Sequence, residues 1–323
     1  MPLDTDAVLD RRLLRRKVTF WRVVAVVFGV IGLGVAGYAA GRATGAFGVA
    51  PHIARIEVKG LITQNADLIR MIERIGQNDA VRGLVVNIDS PGGTVAGSEA
   101  LFLAIRRVAA TKPTVAVVDG MAASGGYIAA IAADHIVTRE TSMTGSIGVI
   151  VQFPNVARLL ETWGVKVEAI RSTPLKAQPS GFEPTSPEAT AALREVVTDS
   201  YQWFQRLVKD RRGMTDDELR VVADGRVFSG SRARTLKLVD VIGGESEARD
   251  WLATKGIARN TAVRLYRPRA TGGLPFVAQA GVAVADAVGL SSVAERLRAS
   301  SIVATIERSA LDGLLAVWQP PTP

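Results

Sequence analysis

Residues Gly83–Gly93 read G-L-V-V-N-I-D-S-P-G-G. The run Gly83–Ile88 has strand length and is almost wholly apolar, with none of the alternation of a strand that turns one face to water. Such a strand is buried on both faces, the mark of a mainly parallel sheet covered by helices. It stops at Ser90-Pro91-Gly92-Gly93, where proline and paired glycines force a turn. The same grammar recurs downstream. The apolar strand Thr114–Val118 is followed by Ala123-Ser124-Gly125-Gly126, and a third glycine-rich turn stands at Thr144-Gly145-Ser146-Ile147-Gly148.

Between these strands the period changes from two to 3.6. Asn65–Gly76 sets Leu68, Met71, Ile72 and Ile75 on one helical face, Glu99–Ala110 reads as a second helix, and Ser124–Ala133 as a small-residue helix. Ile53–Val58, His135–Val137, Gly148–Val151 and Val165–Ile170 read as further strands, and Asn155–Trp163 as a helix. Thr185-Ser186-Pro187-Glu188 is a helix start (capping hydroxyl, early proline, acid in the first turn) for a helix reaching Arg212, and Thr215 opens a shorter one. Strands alternating with helices give an α/β fold.

The chain of 323 residues carries more than this domain. Arg11, Arg12, Arg15, Arg16 and Lys17 crowd a basic tail over residues 1–17, and Val23–Gly41 contains no charge. A helix needs about 20 apolar residues to cross the hydrocarbon core. We therefore expect a transmembrane signal anchor over residues 18–41; the alternative, a cleaved signal peptide, would have an unusually long apolar core and no clean small-x-small site after it. The positive tail keeps the N-terminus cytoplasmic and exports the chain beyond residue 42. A tether, 42–52, leads to a domain at 53–269. Residues 270–323 form a C-terminal extension. Its weakly amphipathic part, 292–318, is free to pack on the domain, a sister subunit or the bilayer surface.

The formal charge of +8 is otherwise dispersed among acids, which is the pattern of a solvated surface and not of a nucleic-acid groove. The absence of cysteine excludes disulfides, thiolate metal sites and a cysteine nucleophile. No His/Cys/acid spacing suggests a metal, and Ser90-Pro91-Gly92-Gly93 lacks the lysine of a phosphate-binding loop, so no cofactor is expected.

In α/β sheets, sites gather at the carboxyl ends of strands, where all three glycine turns fall. A strand, a turn bearing serine and a helix can aim that hydroxyl beside free N–H groups, as a nucleophile and its oxyanion hole require. Each turn alone is more often a plain turn, with Ser124 a helix cap and Ser146 a turn serine; the ordered set of three argues for a site. A serine nucleophile needs a base. His52 lies too close behind the anchor to reach residues 90–150, and His135 begins an apolar strand, so a Ser–His–Asp triad is not expected. Of eight lysines, Lys176 lies in the loop after Val165–Ile170. A desolvated lysine can act as a base; arginine, always protonated, cannot. On the residues alone, Lys176 is equally a surface lysine.

Taken together, Asn87–Gly93, Ala122-Ala123-Ser124-Gly125-Gly126-Tyr127, Ala132-Ala133-Asp134 and Thr144–Val149 resemble the signature blocks of the signal peptide peptidase A family. Gly225-Arg226-Val227-Phe228 and Leu238-Val239-Asp240 continue the likeness, which covers about residues 53–250. The resemblance implies a Clp protease/crotonase-like core. It also implies Ser124 as nucleophile, Lys176 as general base, Gly93 and Ser124 at the oxyanion hole, and Ser146 holding the lysine amine. It further implies a bowl-shaped homo-octamer in the bacterial inner membrane whose sites are completed between neighbouring subunits. The domain would lie on the extracytoplasmic side and degrade remnant signal peptides and other apolar peptides. One departure, Tyr127-Ile128 where an aromatic pair is frequent, bears on side-chain preference. The same loops admit two rivals. A crotonase-like acyl-CoA enzyme is disfavoured by export, since CoA esters are cytosolic; a non-catalytic membrane scaffold would have no reactive serine.

Overall fold

The computed structural model describes residues 18, 20–34, 36, 37, 50–268 and 315–317. The chain divides into two units, Met1–Ala50 and Pro51–Pro323. In the first, helix α1 covers residues 20–34 and leaves Val23, Val26, Phe28 and Leu33 exposed. Among the described residues no helix is long and apolar enough to cross a membrane. The basic tail and the remainder of the expected anchor lie outside the described residues.

The second unit is the expected mainly parallel α/β arrangement. Strands β1 (His52–Ile62), β2 (Val81–Thr94) and β3 (Thr114–Ala123) run parallel side by side. Helices α2 (Ala66–Gln77), α3 (Val95–Ala109) and α4 (Gly125–Ile131) connect or follow them. β3 then serves two neighbours in succession. Its first half, Val115–Val118, pairs with β4 (His135–Thr138), and its end, Met121–Ala123, with β5 (Met143–Gly145). After the short helix α5 (Ala157–Thr162) and the long α6 (Pro187–Arg212) come α7 (Asp216–Val222), β6 (Val227–Ser229), α8 (Gly230–Thr235), β7 (Val241–Ile242), α9 (Glu245–Thr254) and β8 (Val263–Leu265). The main path is β6-β5-β3-β2-β1-β8, with β7 on β4. Among the described residues only β6 on β5 and the short β9 (Leu315–Val317) on β2 are antiparallel.

Two cores explain the apolar run Gly83–Ile88. Leu84, Val86 and Ile88 point to the larger one, with Ile72 and Ile75 of α2, Leu101 and Ile105 of α3, and Tyr127 and Ile131 of α4. Val85 points the other way, with Val115, Val117 and Val137, onto Leu252 of α9 and Ile257. Each such side chain contributes on the order of 1.5–3 kcal/mol by leaving water. Both faces are therefore apolar, and no residue of the strand can alternate.

The helix starts hold. Asn65 accepts from Leu68 N–H, Ser186 from Ala189 N–H, and Thr215 forms a capping box with Glu218. Two expected strands do not form. Val165–Ile170 joins no ladder, and of Gly148–Val151 only Ile150 makes an isolated bridge. The physical reason is lack of a partner: Val165, Val167 and Ile170 are exposed, with no neighbouring strand to satisfy their backbone groups. In the C-terminal extension residues 315–317 are strand, and the rest lies outside the described residues.

Candidate active site

Ser124 follows the last residue of β3 and stands at the N-cap of α4 with φ 53° and ψ −114°, a left-handed conformation for a residue with a side chain. Such a backbone costs on the order of 1–3 kcal/mol and persists only where its surroundings impose it. Here they do. Ser124 N–H donates to Gly145 O at 2.8 Å, its carbonyl accepts from Ile128 N–H at 3.0 Å, and every residue of α4 is buried. The hydroxyl is itself buried, and Ser124 Oγ makes no hydrogen bond among the described residues. An unpaired buried hydroxyl costs free energy and is a reason to ask what it does.

Around it the three glycine turns converge. A Cβ on Gly125 would stand 3.0 Å from the Gly93 amide nitrogen and 2.3 Å from Ser98 Oγ, so the Gly92–Gly93 turn lies directly against the Ser124–Gly125 turn. A Cβ on Gly93 would lie 1.8 Å from Ile62 O, which admits no side chain. Gly145 O, which receives the Ser124 amide, belongs to the third turn. That turn is braced by β6: Thr144 and Gly145 face Phe228 and Val227, and Ser146 N–H donates to Arg226 O at 2.8 Å. Ser146 is buried, with φ 52°. The blocks Thr144–Val149 and Gly225–Phe228, distant in sequence, are thus one structural feature.

Sequence reasoning assigned no role to Ser90, yet its side chain organises the first turn. Wholly buried, Ser90 Oγ donates to Gly60 O at 2.6 Å and accepts from Gly92 N–H at 3.1 Å. It ties the end of β1 to the turn carrying Gly93. The available signal was a polar residue at the end of an apolar strand, which is equally the signal of an ordinary turn.

Lys176 is not brought to Ser124 within the chain. It is exposed, in a loop where its N–H donates to Thr173 O at 3.1 Å, and no hydrogen bond joins it to Ser124 or Ser146 among the described residues. Both histidines are otherwise engaged. His52 Nε2 lies 2.8 Å from Tyr266 Oη, and His135 stacks on Trp251 and faces Asp240 at 3.7 Å. Burial lowers the His135 imidazole against the pull of Asp240. Beneath α4, Tyr127 Oη donates to Leu238 O at 2.8 Å, and burial drives its phenol far up. Finally, the backbone of β9 lies antiparallel along Gly92–Thr94, so this edge accepts an extended segment.

Parts of this sequence match known families and proteins. A family model described as Peptidase family S49 matches residues 106–258, and one described as Clp protease matches residues 56–152. A Synechocystis sp. protein that carries a protease name is 36% identical over 204 residues, 62% of this chain and 73% of that protein. Serine protease SPPA, chloroplastic, of Arabidopsis thaliana is 36% identical over 183 residues, 56% of this chain and 27% of that protein. Protease 4 of Salmonella typhi is 36% identical over 170 residues, 52% of this chain and 27% of that protein. The chain thus spans most of the cyanobacterial relative and about a quarter of the other two. With a nucleophile-like serine in an imposed turn, two convergent glycine turns and these matches, the chain belongs to peptidase family S49 and is a serine peptidase.

Proposed function

We propose that the protein is a membrane-anchored endopeptidase that degrades signal peptides after their release, using Ser124 and Lys176 as a catalytic dyad. The observation that carries this reading is the Ser124 hydroxyl: buried, without a partner, on a left-handed turn beside the Gly93 amide. Lys176 takes the Ser124 proton, and Oγ attacks the scissile carbonyl. The Gly93 amide holds the oxyanion; the Ser124 amide, also expected there from the sequence, is already donated to Gly145 O at 2.8 Å. The protonated amine then returns its proton to the leaving nitrogen. A water activated by the same amine releases the acyl-enzyme, and Ser146 orients that amine.

The peptide lies extended along Gly92–Thr94, the edge that β9 pairs with. The uncharged stretch before residue 42 holds the domain on the outer face of a bacterial cytoplasmic membrane, where such remnants are generated.

The dyad is completed between neighbouring subunits of a homo-octamer. In support, Ser124 Oγ finds no base among the described residues of its own chain, Lys176 is exposed, and the stretch of chain before it also leaves Ile150, Phe153, Trp163, Val167 and Ile170 uncovered. A heterologous contact around a closed ring permits such sharing. The test is to co-express Ser124→Ala and Lys176→Ala chains and purify mixed oligomers. Turnover of an apolar fluorogenic peptide above that of either variant alone is expected. Complete inactivity in verified mixed oligomers would confine both residues to one chain.

A further inference from the structure

Lys176 lies in a segment that neither secondary structure nor core burial fixes. Residues 172–177 are all exposed, and two turn bonds shape the tip: Lys176 N–H to Thr173 O at 3.1 Å, and Gln178 N–H to Leu175 O at 3.2 Å. A general base held this way would be poorly placed, because a misplacement of about 1 Å can cost on the order of 100-fold in rate. Something else must hold the loop.

The two arms of the loop converge on one carboxylate. Glu183 Oε1 accepts from Gln178 Nε2 at 2.7 Å and from Ser180 Oγ at 2.9 Å, both on the arm after Lys176. The guanidinium of Arg171, on the arm before it, reaches both oxygens: Nη2 donates to Oε1, and Nη1 to Oε2 at 3.4 Å. Hydrogen bonds chiefly from Arg171 and then Ser180 hold the Glu183 carboxyl below the usual carboxylate range, so it stays ionised at neutral pH. The hub is itself anchored. Asn155 Nδ2 donates to Glu183 O at 3.1 Å and to Thr185 Oγ1 at 3.3 Å, and Val156 N–H donates to Gly181 O at 2.8 Å, beside the start of α5. An isolated surface ion pair would contribute little. A forked arginine pair sharing its carboxylate with two further donors, from opposite sides of one tip, is a geometric clamp.

We propose that Glu183 is a positioning residue for Lys176: its carboxylate joins Arg171 to Gln178 and Ser180 and so sets where the amine between them is delivered. The inference rests on Lys176 being the general base. Removing the carboxylate frees both arms without touching the sheet, so the chemical step slows while peptide binding along Gly92–Thr94 is preserved. Glu183→Gln keeps one acceptor oxygen and loses the charge, and therefore falls between wild type and Glu183→Ala.

The experiment uses the full chain in detergent with an apolar fluorogenic peptide. It compares kcat, KM and thermal midpoint for wild type, Glu183→Gln, Glu183→Ala, Lys176→Ala and the double variant Glu183→Ala/Lys176→Ala. Expected is a kcat lowered about tenfold or more in Glu183→Ala, a smaller loss in Glu183→Gln, and KM and midpoint nearly unchanged. The residual rate of the double variant should equal that of Lys176→Ala, since Glu183 acts only through the lysine. Wild-type kcat in Glu183→Ala beside an inactive Lys176→Ala overturns the clamp and leaves the dyad standing. Additive losses in the double variant also overturn it, by showing a structural role. Retained activity in Lys176→Ala removes the base itself, and the clamp with it.

Discussion

Gly93 and Gly125 meet backbone to backbone: a Cβ on Gly125 would stand 3.0 Å from the Gly93 amide nitrogen. The contact brings the glycine-bearing end of β2 against the junction of β3 and α4, and it exists only because neither residue has a side chain. Gly93→Ala would force its methyl into Ile62 O, and Gly125→Ala would force its methyl into Ser98 Oγ. Overpacking of this kind costs about 1–3 kcal/mol. Displacing an oxyanion donor lowers turnover by about 100-fold or more. Calorimetry and peptide turnover on both variants check this. In Gly125→Ala, adding Ser98→Ala should recover part of the stability, since it removes the nearest obstructing atom. Unchanged turnover in Gly93→Ala would take that amide out of the site.

Ser90→Ala leaves Gly60 O and Gly92 N–H without their shared side-chain partner in a buried place. The expected loss is about 1–3 kcal/mol. Turnover should fall as well, because the Gly93 turn is no longer tied to β1. Denaturant midpoints and kcat measured together decide it. A variant that matches wild type in both would make the hydroxyl incidental.

Asp240 links α6 to β4. It accepts from Arg212 Nη2 at 2.7 Å and from Ile136 N–H at 2.8 Å. Burial pushes its carboxyl up, but the Arg212 bond and charge, with the Ile136 amide, outweigh burial and leave it below its ordinary value. A depressed folded-state pKa stabilises above the unfolded value, about 3.9, and that contribution disappears as pH falls through the folded-state value. Wild type should therefore lose stability as pH drops below about 4, and Asp240→Asn should lose less over that window. At neutral pH, Asp240→Asn should cost about 2–3 kcal/mol, below the roughly 3–5 of a fully buried pair. Thermal melts across pH 3–7 test both. Parallel wild-type and variant curves would refute the assignment.

Lys176→Arg keeps the charge and the reach but cannot accept a proton. It should be as inactive as Lys176→Ala in peptide turnover. Substantial activity in the arginine variant would reduce the lysine to an electrostatic role and send the search for the base elsewhere.

The sheet was legible because its signal is compositional. Gly83–Ile88 and Thr114–Val118 are apolar at nearly every position that two cores must cover, and the helix starts at Ser186 and Thr215 are local chemistry. Ser124 stood out for a different reason: alone it reads as a helix cap, but three glycine turns in order, each at an expected strand end, single it out. The features that escaped reading depend on contacts far apart in sequence. Ser90 becomes a clamp only because Gly60 ends the neighbouring strand, and Glu183 a hub only because Arg171 and Gln178 fold back on it. Val165–Ile170 misled because apolar β-rich composition states that a segment is to be covered, but not by which chain.

The most direct test of the account is covalent capture of the nucleophile. Full-length protein is treated with a serine-directed phosphonate, and the adduct is mapped by peptide mass spectrometry, with labelling rates compared between wild type and Lys176→Ala. The account predicts one adduct, on Ser124, formed much more slowly when Lys176 is removed. An adduct on any other serine, or labelling of Ser124 at the same rate without Lys176, would contradict it.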